Sequence, residues 1–332
     1  MRTHRVRCVD VHVYPIVSTF SKAPAMTKIA YPLTLLSVML ACSLLTALAH
    51  ARARVFVASY GNDANPCTFG SPCKTFQQAV NVVDTGGEVT AIDSAGFGPI
   101  SITKAVTITS PAGVEAGIVP AAGEDAIDIS ASASSVVTLH GLTIDGGGGG
   151  VTGISMTQAA TLVIVNCIVR NFTSSGIALG PTSASNITVS DTIVADNGGH
   201  GVHLQPNTTV GPGIQVHATF NRIQALNNAQ RGIGIFSNFT VNSFDAIAVD
   251  GVASGNQTGF YAFGTRATLH AFRSTTIGNG DGMRAENGGL ITVSQSNLES
   301  DGWSTDGKGV VQSYGDNYTN NALPPGQMLG RD

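Results

Sequence analysis

Gly153-Ile154-Ser155-Met156, Gly176-Ile177-Ala178-Leu179, Gly201-Val202-His203-Leu204 and Gly232-Ile233-Gly234-Ile235 repeat one short phrase, a glycine followed by apolar–x–apolar. Gly259-Phe260 and Gly282-Met283 continue it, and these glycines fall 23, 25, 31, 27 and 23 residues apart. A second alternating segment precedes each glycine and ends in a side-chain amide, as in 187–197 and 162–171. The amides are Asn171, Asn197, Asn228, Asn256 and Asn279. One such unit cannot bury its own apolar face, but stacked copies can, each strand pairing in parallel with its equivalent ~4.8 Å away. Alternation then sends Ile177, Leu179, Val202 and Leu204 inward as aliphatic columns. Sharp corners between strands want left-handed backbone, which Gly and Asn tolerate, and stacked amides can bond from one corner to the next.

Working outward, less regular strands at 89–92, 100–108, 127–129 and 136–144 carry the pattern upstream. About nine turns fit between residues 88 and 321. Parallel strands joined by crossovers are right-handed, so the expectation is an all-β, right-handed parallel β-helix. Variable spacing fits insertions in an exposed loop, such as 206–213. Open ends of stacked strands invite aggregation, so each needs a cap. Ser71-Pro72 signals a helix start, and Phe76, Ala79, Val80 and Val83 share one face of the helix that follows, so residues 72–84 are read as an N-terminal plug. Residues 314–321, rich in Tyr, Asn and Asp, close the far end. Cys67 and Cys73 bracket a loop short enough to close as a disulfide, whereas Cys167 lies in an apolar strand and reads as a buried, inert thiol.

Before residue 52 the chain reads differently. Lys28, an apolar run over 29–48 and the ending Ala49-His50-Ala51 have the form of a cleaved export signal over 26–51, preceded by a leader or over-extended start over 1–25. The domain reading is then a cap over 52–87, the β-helix over 88–321 and a tail over 322–332. Five of the 17 Lys/Arg and one of the 21 Asp/Glu lie before residue 52, which leaves 12 against 20, net −8. No basic cluster survives, so nucleic acid and anionic membranes are excluded as expected partners. A monomer without a transmembrane segment is expected, exported to the periplasm, cell surface or medium. With 40 glycines and 11% charged residues, neither a coiled coil nor a disordered chain fits. Six Asn-x-Thr triplets, at Asn171, Asn186, Asn207, Asn238, Asn256 and Asn317, follow from Asn corners beside Thr-rich strands.

These repeats resemble the right-handed parallel β-helix superfamily that includes pectate lyases. More closely, the segment from Phe56-Val57-Ala58-Ser59 through Asn65-Pro66-Cys67 and Pro72-Cys73-Lys74-Thr75-Phe76 is similar to a group of exported bacterial β-helix proteins. Gly141-Leu142-Thr143-Ile144-Asp145-Gly146, Val189-Ser190-Asp191-Thr192 and Ser313-Tyr314-Gly315-Asp316-Asn317 complete the match. The resemblance implies the fold and carries no activity, because its motifs are caps and corners. Gly199-His200-Gly201 is similar to the Gly-His-Gly of polygalacturonases, and Arg222-Ile223-Gln224 to their downstream Arg-x-Lys. Those enzymes hydrolyse with carboxylates on preceding turns, and the turn before His200 offers Gly176, Ile177, Ala178 and Leu179. A lyase would need a calcium-binding acid cluster with an Arg or Lys base, and no run of acids on adjacent turns supplies one.

Two outward ladders remain. Ser155, Ala178, His203, Gly234, Tyr261 and Arg284 alternate with the inward pairs, and Ser175, His200, Arg231, Thr258 and Asp281 precede the repeat glycines. His200, His203, Arg231, Tyr261 and Arg284 would present an exposed ring among hydrogen-bonding groups, suited to an elongated sugar polymer. A second column is read as Val165, Ser190, His217, Asp250, His270 and Ser294. There His217, Asp250 and His270 would form a hydrogen-bonded ladder or hold a divalent metal; no cofactor is required. The functional expectation is a non-catalytic exported protein that binds a polysaccharide or cell-surface polymer. The alternatives are a polysaccharide lyase or hydrolase and a self-assembling surface protein.

Overall fold

The computed structural model describes residues 52–205, 213–237, 242–299, 302–319 and the backbone of 327–328. The leader, the export signal, most of the 206–213 loop and the tail other than 327–328 lie outside the described residues. Every strand-to-strand pairing in the three sheets is parallel, and each sheet takes one strand from successive turns. The chain passes from a twelve-stranded sheet to a ten-stranded sheet, then to a nine-stranded sheet, and back. Among the described residues no helix is long and apolar enough to cross a membrane.

The register of the nine-stranded sheet follows the repeat glycines. Ile154, Ile177, Val202, Ile233, Phe260 and Met283 stack in one inward column, and Met156, Leu179, Leu204, Ile235, Ala262 and Ala285 in the next. Each of these twelve side chains is at most 1% exposed. Burial of aliphatic side chains at roughly 1.5–3 kcal/mol each is the main force that holds coil upon coil.

Corners carry the polar part of the architecture. Between the ten- and nine-stranded sheets, Asn171, Asp196, Asn227, Gly255 and Gly278 all have positive φ, from 53° to 70°. The amide that follows each corner stacks on the next: Asn197 Nδ2 donates to Asn228 Oδ1 (2.8 Å), Asn228 to Asn256 (3.0 Å) and Asn256 to Asn279 (2.9 Å). The ladder therefore begins at Asn197. Asn171 falls one residue earlier, in the left-handed column, where its amide bonds Asp145, and Phe172 fills the ladder position above Asn197. The glycosylation-like pattern at Asn256 is a buried ladder rung, 3% exposed.

At the corner between the twelve- and ten-stranded sheets, non-glycine residues take positive φ: Asn166, Asp191, Arg222, Asp250, Arg273 and Gln295, from 47° to 53°. Their charges alternate along the stack, so Arg222 pairs with Asp191 (2.6 Å) and Arg273 with Asp250 (2.8 Å). Hydrogen bonds from these guanidiniums hold both carboxyls below the usual carboxylate range. Arg222, the residue similar to a polygalacturonase arginine, is thus committed to a corner.

Helix α1 (Phe76–Val82) plugs the first turn, with Phe76, Ala79, Val80 and Val83 buried as the spacing requires. It starts at Phe76 instead of Pro72 because Cys73 is held beside the first strand by Phe56 and Ala58, and Thr75 supplies the N-cap. Asp63 accepts from the backbone N–H of Lys74 (2.8 Å) and Thr75 (2.9 Å) and fixes that entry. Gln77 then pairs with the backbone N–H of Ser101 (2.7 Å), covering the edge of the nine-stranded sheet. Cys67 and Cys73 are disulfide-bonded and fully buried. At the far end Asp316 and Asn317 accept from the backbone N–H of Gln295 (3.1 Å) and Ser296 (2.9 Å). Cys167 is 1% exposed, and burial pushes its thiol up to about 11, so it is inert at neutral pH.

Asn228→Ala strips an acceptor from Asn197 and a donor from Asn256 inside the ladder, so it destabilises the fold by about 2–4 kcal/mol in denaturant unfolding. Asn186→Ala, on an exposed strand position, shifts stability by less than ~0.5 kcal/mol.

Candidate functional site

The outer side of the nine-stranded sheet collects the unusual chemistry. Its central outward column is Ser101, Asp128, Ser155, Ala178, His203, Gly234, Tyr261, Arg284 and Ser304, in the order the glycine repeat dictates. Arg231, Thr258 and Asp281 stack beside it in the column before the glycines, with Ser175 and His200 on the preceding turns. His200, His203, Arg231, Tyr261 and Arg284 are therefore brought to one face.

Their arrangement differs from the expected exposed ring. Tyr261 is only 2% exposed. Its ring lies under the Arg231 guanidinium at 4.4 Å, and its hydroxyl donates to Glu286 Oε2 at 2.6 Å. Burial and the Glu286 hydrogen bond push the phenol up to about 12. The half-buried rings beside it are Phe236 and Phe263, with centroids 5.2 Å and 6.3 Å from Tyr261. Phe236 can lie across the sheet because residue 234 is glycine: a Cβ there would stand 2.7 Å from the Phe236 ring. His203 packs against Phe236 at 4.6 Å and against His200 at 4.4 Å.

Electrostatically the site is a cation among neutral rings. Burial, then His203 and Arg231, pushes the His200 imidazole down to about 3. His203 is lowered too, chiefly by burial, although its Nε2 contact with Gln205 Oε1 (2.8 Å) acts the other way. Both are neutral at physiological pH. Arg284 is held by Glu286 (2.5 Å) and Asp281 (3.2 Å), whereas Arg231 has no carboxylate partner among the described residues. Two buried polar atoms at this spot, His200 Nδ1 and Arg231 Nε, have no hydrogen-bond partner.

Beyond Ala178 and Ser155 in the same outward column, toward the capped end, lies a cavity of about 520 Å³. The cavity is lined by Gln77, Phe97, Pro99, Glu124, Asp125 and Asp128, among others. Asp125 is anchored by the Thr152 backbone N–H (2.9 Å). Burial, followed by Asp125 and Glu124, raises the Asp128 carboxyl above its ordinary range. These acids come from one turn, so a search for acids on adjacent turns passes over them. Phe236, Phe263 and Glu286 also escape the repeat phrase, since each lies just past its last inward residue.

The second column does not form as expected. Val165 and Ser190 align with Asn221, Val249, Phe272 and Ser294. His217 instead stands between Asn186 and Asp245, its Nδ1 4.0 Å from the Asp245 carboxylate, and His270 lies beside Ile247 and Thr292. Asp250 is a corner residue bound to Arg273. Among the described residues no three His, Cys, Asp or Glu side chains are grouped to hold a metal ion.

Comparison with known proteins agrees with this architecture. Residues 101–246 match the family model described as the right handed beta helix region. A solved structure of the pectate lyase Pel9A superposes with a TM-score of 0.55 at 14% identity, covering 82% of this chain and 78% of that one. A Geobacillus virus E2 protein, ORF18, superposes with a TM-score of 0.45 at 13% identity, covering 89% of this chain and 64% of that one. No curated protein sequence matches. The chain has a right-handed parallel β-helix fold similar to that of a pectate lyase.

Proposed function

We propose that this is an exported protein that binds a polysaccharide or another cell-surface polymer along the nine-stranded face without cleaving it, and that the polymer carries an anionic group received by Arg231. The observation that carries the reading is Arg231 itself, a cation with a buried, unpartnered Nε and no carboxylate partner among the described residues. A guanidinium presents a rigid fork of donors suited to a carboxylate or sulfate. The half-buried Phe236 and Phe263 rings offer a sugar apolar contacts, and Ser155 of the same outward face a hydroxyl. The fold shared with a pectate lyase supports a polysaccharide as the ligand class, and the buried Cys67–Cys73 disulfide supports export. Binding without cleavage is favoured because the carboxylates of the cluster, Glu286 and Asp281, are tied to Tyr261 and Arg284.

Cleavage is the second reading, and the acid-lined cavity favours it. Asp128, its carboxyl raised by burial and by Asp125, has the form of a general acid beside a second carboxyl group. New reducing or unsaturated ends from a polysaccharide panel, lost in Asp128→Asn, would replace the binding reading with this one.

The binding reading is tested by titrating polygalacturonate and neutral dextran against the protein. Polygalacturonate binds, and Arg231→Ala weakens it by about ten- to a hundredfold, as expected for a lost charged hydrogen bond. Equal affinity in the variant, or binding of dextran alone, overturns it. The neutral imidazole also predicts a pH response. Between about pH 6.5 and 3 the unfolded chain binds a proton at His200 that the folded chain does not, so stability falls as pH falls through that window. His200→Gln lessens the drop in denaturation midpoint between pH 7 and pH 4.

A further inference from the structure

Arg231 stacks on Tyr261 beside the Glu286–Arg284–Asp281 charge cluster, yet it has no carboxylate partner among the described residues. Glu286 lies two strands further along the same face, since Arg231 aligns with Thr258 and Phe263 with Glu286. An ionised carboxylate on a half-buried surface and an unpaired guanidinium nearby would ordinarily join. Glu286 is ionised at neutral pH: burial pushes its carboxyl up, but hydrogen bonds from Tyr261 and Arg284 outweigh this and hold it below the ordinary range.

Each Glu286 oxygen is occupied. Oε1 takes both Nε (2.9 Å) and Nη2 (2.5 Å) of Arg284, and Oε2 takes the Tyr261 hydroxyl (2.6 Å). The Tyr261 ring fills the space beneath Arg231, and its hydroxyl also faces that guanidinium. We infer that Tyr261 is a positioning residue whose hydroxyl, by occupying Glu286, keeps this carboxylate from neutralising Arg231 and so leaves the guanidinium available to an anionic ligand. The inference rests on the reading that Arg231 receives an anion.

One atom separates the two arrangements. Tyr261→Phe keeps the ring and its contact with Arg231 but removes the donor to Oε2. A half-buried carboxylate oxygen that loses its donor gains from a new one, and the Arg231 guanidinium, stacked on the same Tyr261 ring and without a carboxylate partner among the described residues, is a cation of that cluster. Once paired, Glu286 competes with the ligand from within the molecule, at an effective concentration that a polymer in solution does not match. Glu286 faces Arg284 and, at longer range, Asp306, whereas Arg231 faces the neutral imidazoles of His200 and His203, with Gln230 accepting from Nη1 (3.1 Å).

The test uses Tyr261→Phe, Glu286→Gln and the double variant, with polygalacturonate as probe. Tyr261→Phe binds about tenfold more weakly at pH 7. Tyr261→Phe/Glu286→Gln binds within about twofold of the parent at the same pH. A loss that persists in the double variant marks a merely structural role and overturns the inference. So does Tyr261→Phe binding as the parent binds. A second readout needs no polymer: hydrogen exchange at the Arg231 Nε–H, followed by NMR, slows in Tyr261→Phe at pH 7 and returns to the parent rate in the double variant. Unchanged exchange overturns the inference even where polygalacturonate binds. Failure of the parent to bind any acidic polymer overturns the binding reading and leaves this second readout to decide.

Discussion

Everything in this molecule depends on a parallel stack in which each turn repeats the backbone path of the turn before it. A turn that drifts by one residue would carry its aliphatic side chains to the wrong face, so the corners must hold register as firmly as the core does. Two devices do this. Left-handed residues set the bend at each corner, and the next residue's side chain, an amide on one edge and a hydroxyl or amide on another, bonds to the turn above. The buried amides contribute twice, as satisfied polar groups inside and as spacers at the strand repeat. Exposed Asp–Arg pairs add little stability at a solvated corner, and their alternation avoids the repulsion that a column of like charges would suffer.

Rigid stacking also decides where a site can form. On the nine-stranded face the outward positions change character along the axis, from acids at the capped end, through small hydroxyls, to rings and guanidiniums. On the twelve-stranded face the column Thr107, Thr138, Val163, Thr188, Thr219 and Ile247 carries no charge between Glu88 and His270. The proposed binding surface therefore rests on the charge distribution and buried orphan atoms of the nine-stranded side. The acid-lined cavity lies apart from it, with Arg231 some four strands, ~19 Å, away.

What the sequence reveals follows from which signals fix register. A repeat glycine fixes it to the residue, so His203, Tyr261 and Arg284 fall into one column from the sequence alone. The twelve-stranded sheet has only alternation to guide it, and alternation separates the two faces but leaves shifts by two or four residues equivalent. Alternation accordingly puts His217 and His270 on the right face but at the wrong height, and it does not distinguish the corner residue Asp250 from a strand residue. The disulfide, the plug's buried face and the amide corners are legible because chemistry at short range determines them. Burial of Tyr261 is not, because it depends on Phe236 lying over Gly234 and on Glu286 reaching back from the next turn.

The central claim, that the nine-stranded face around Arg231 is the binding surface, is tested most directly by mapping hydrogen exchange in the presence and absence of polygalacturonate. The account predicts added protection confined to strands Val202–Leu204, Arg231–Phe236 and Thr258–Phe263. Protection centred on the twelve-stranded sheet or on the Asp–Arg corner would contradict it.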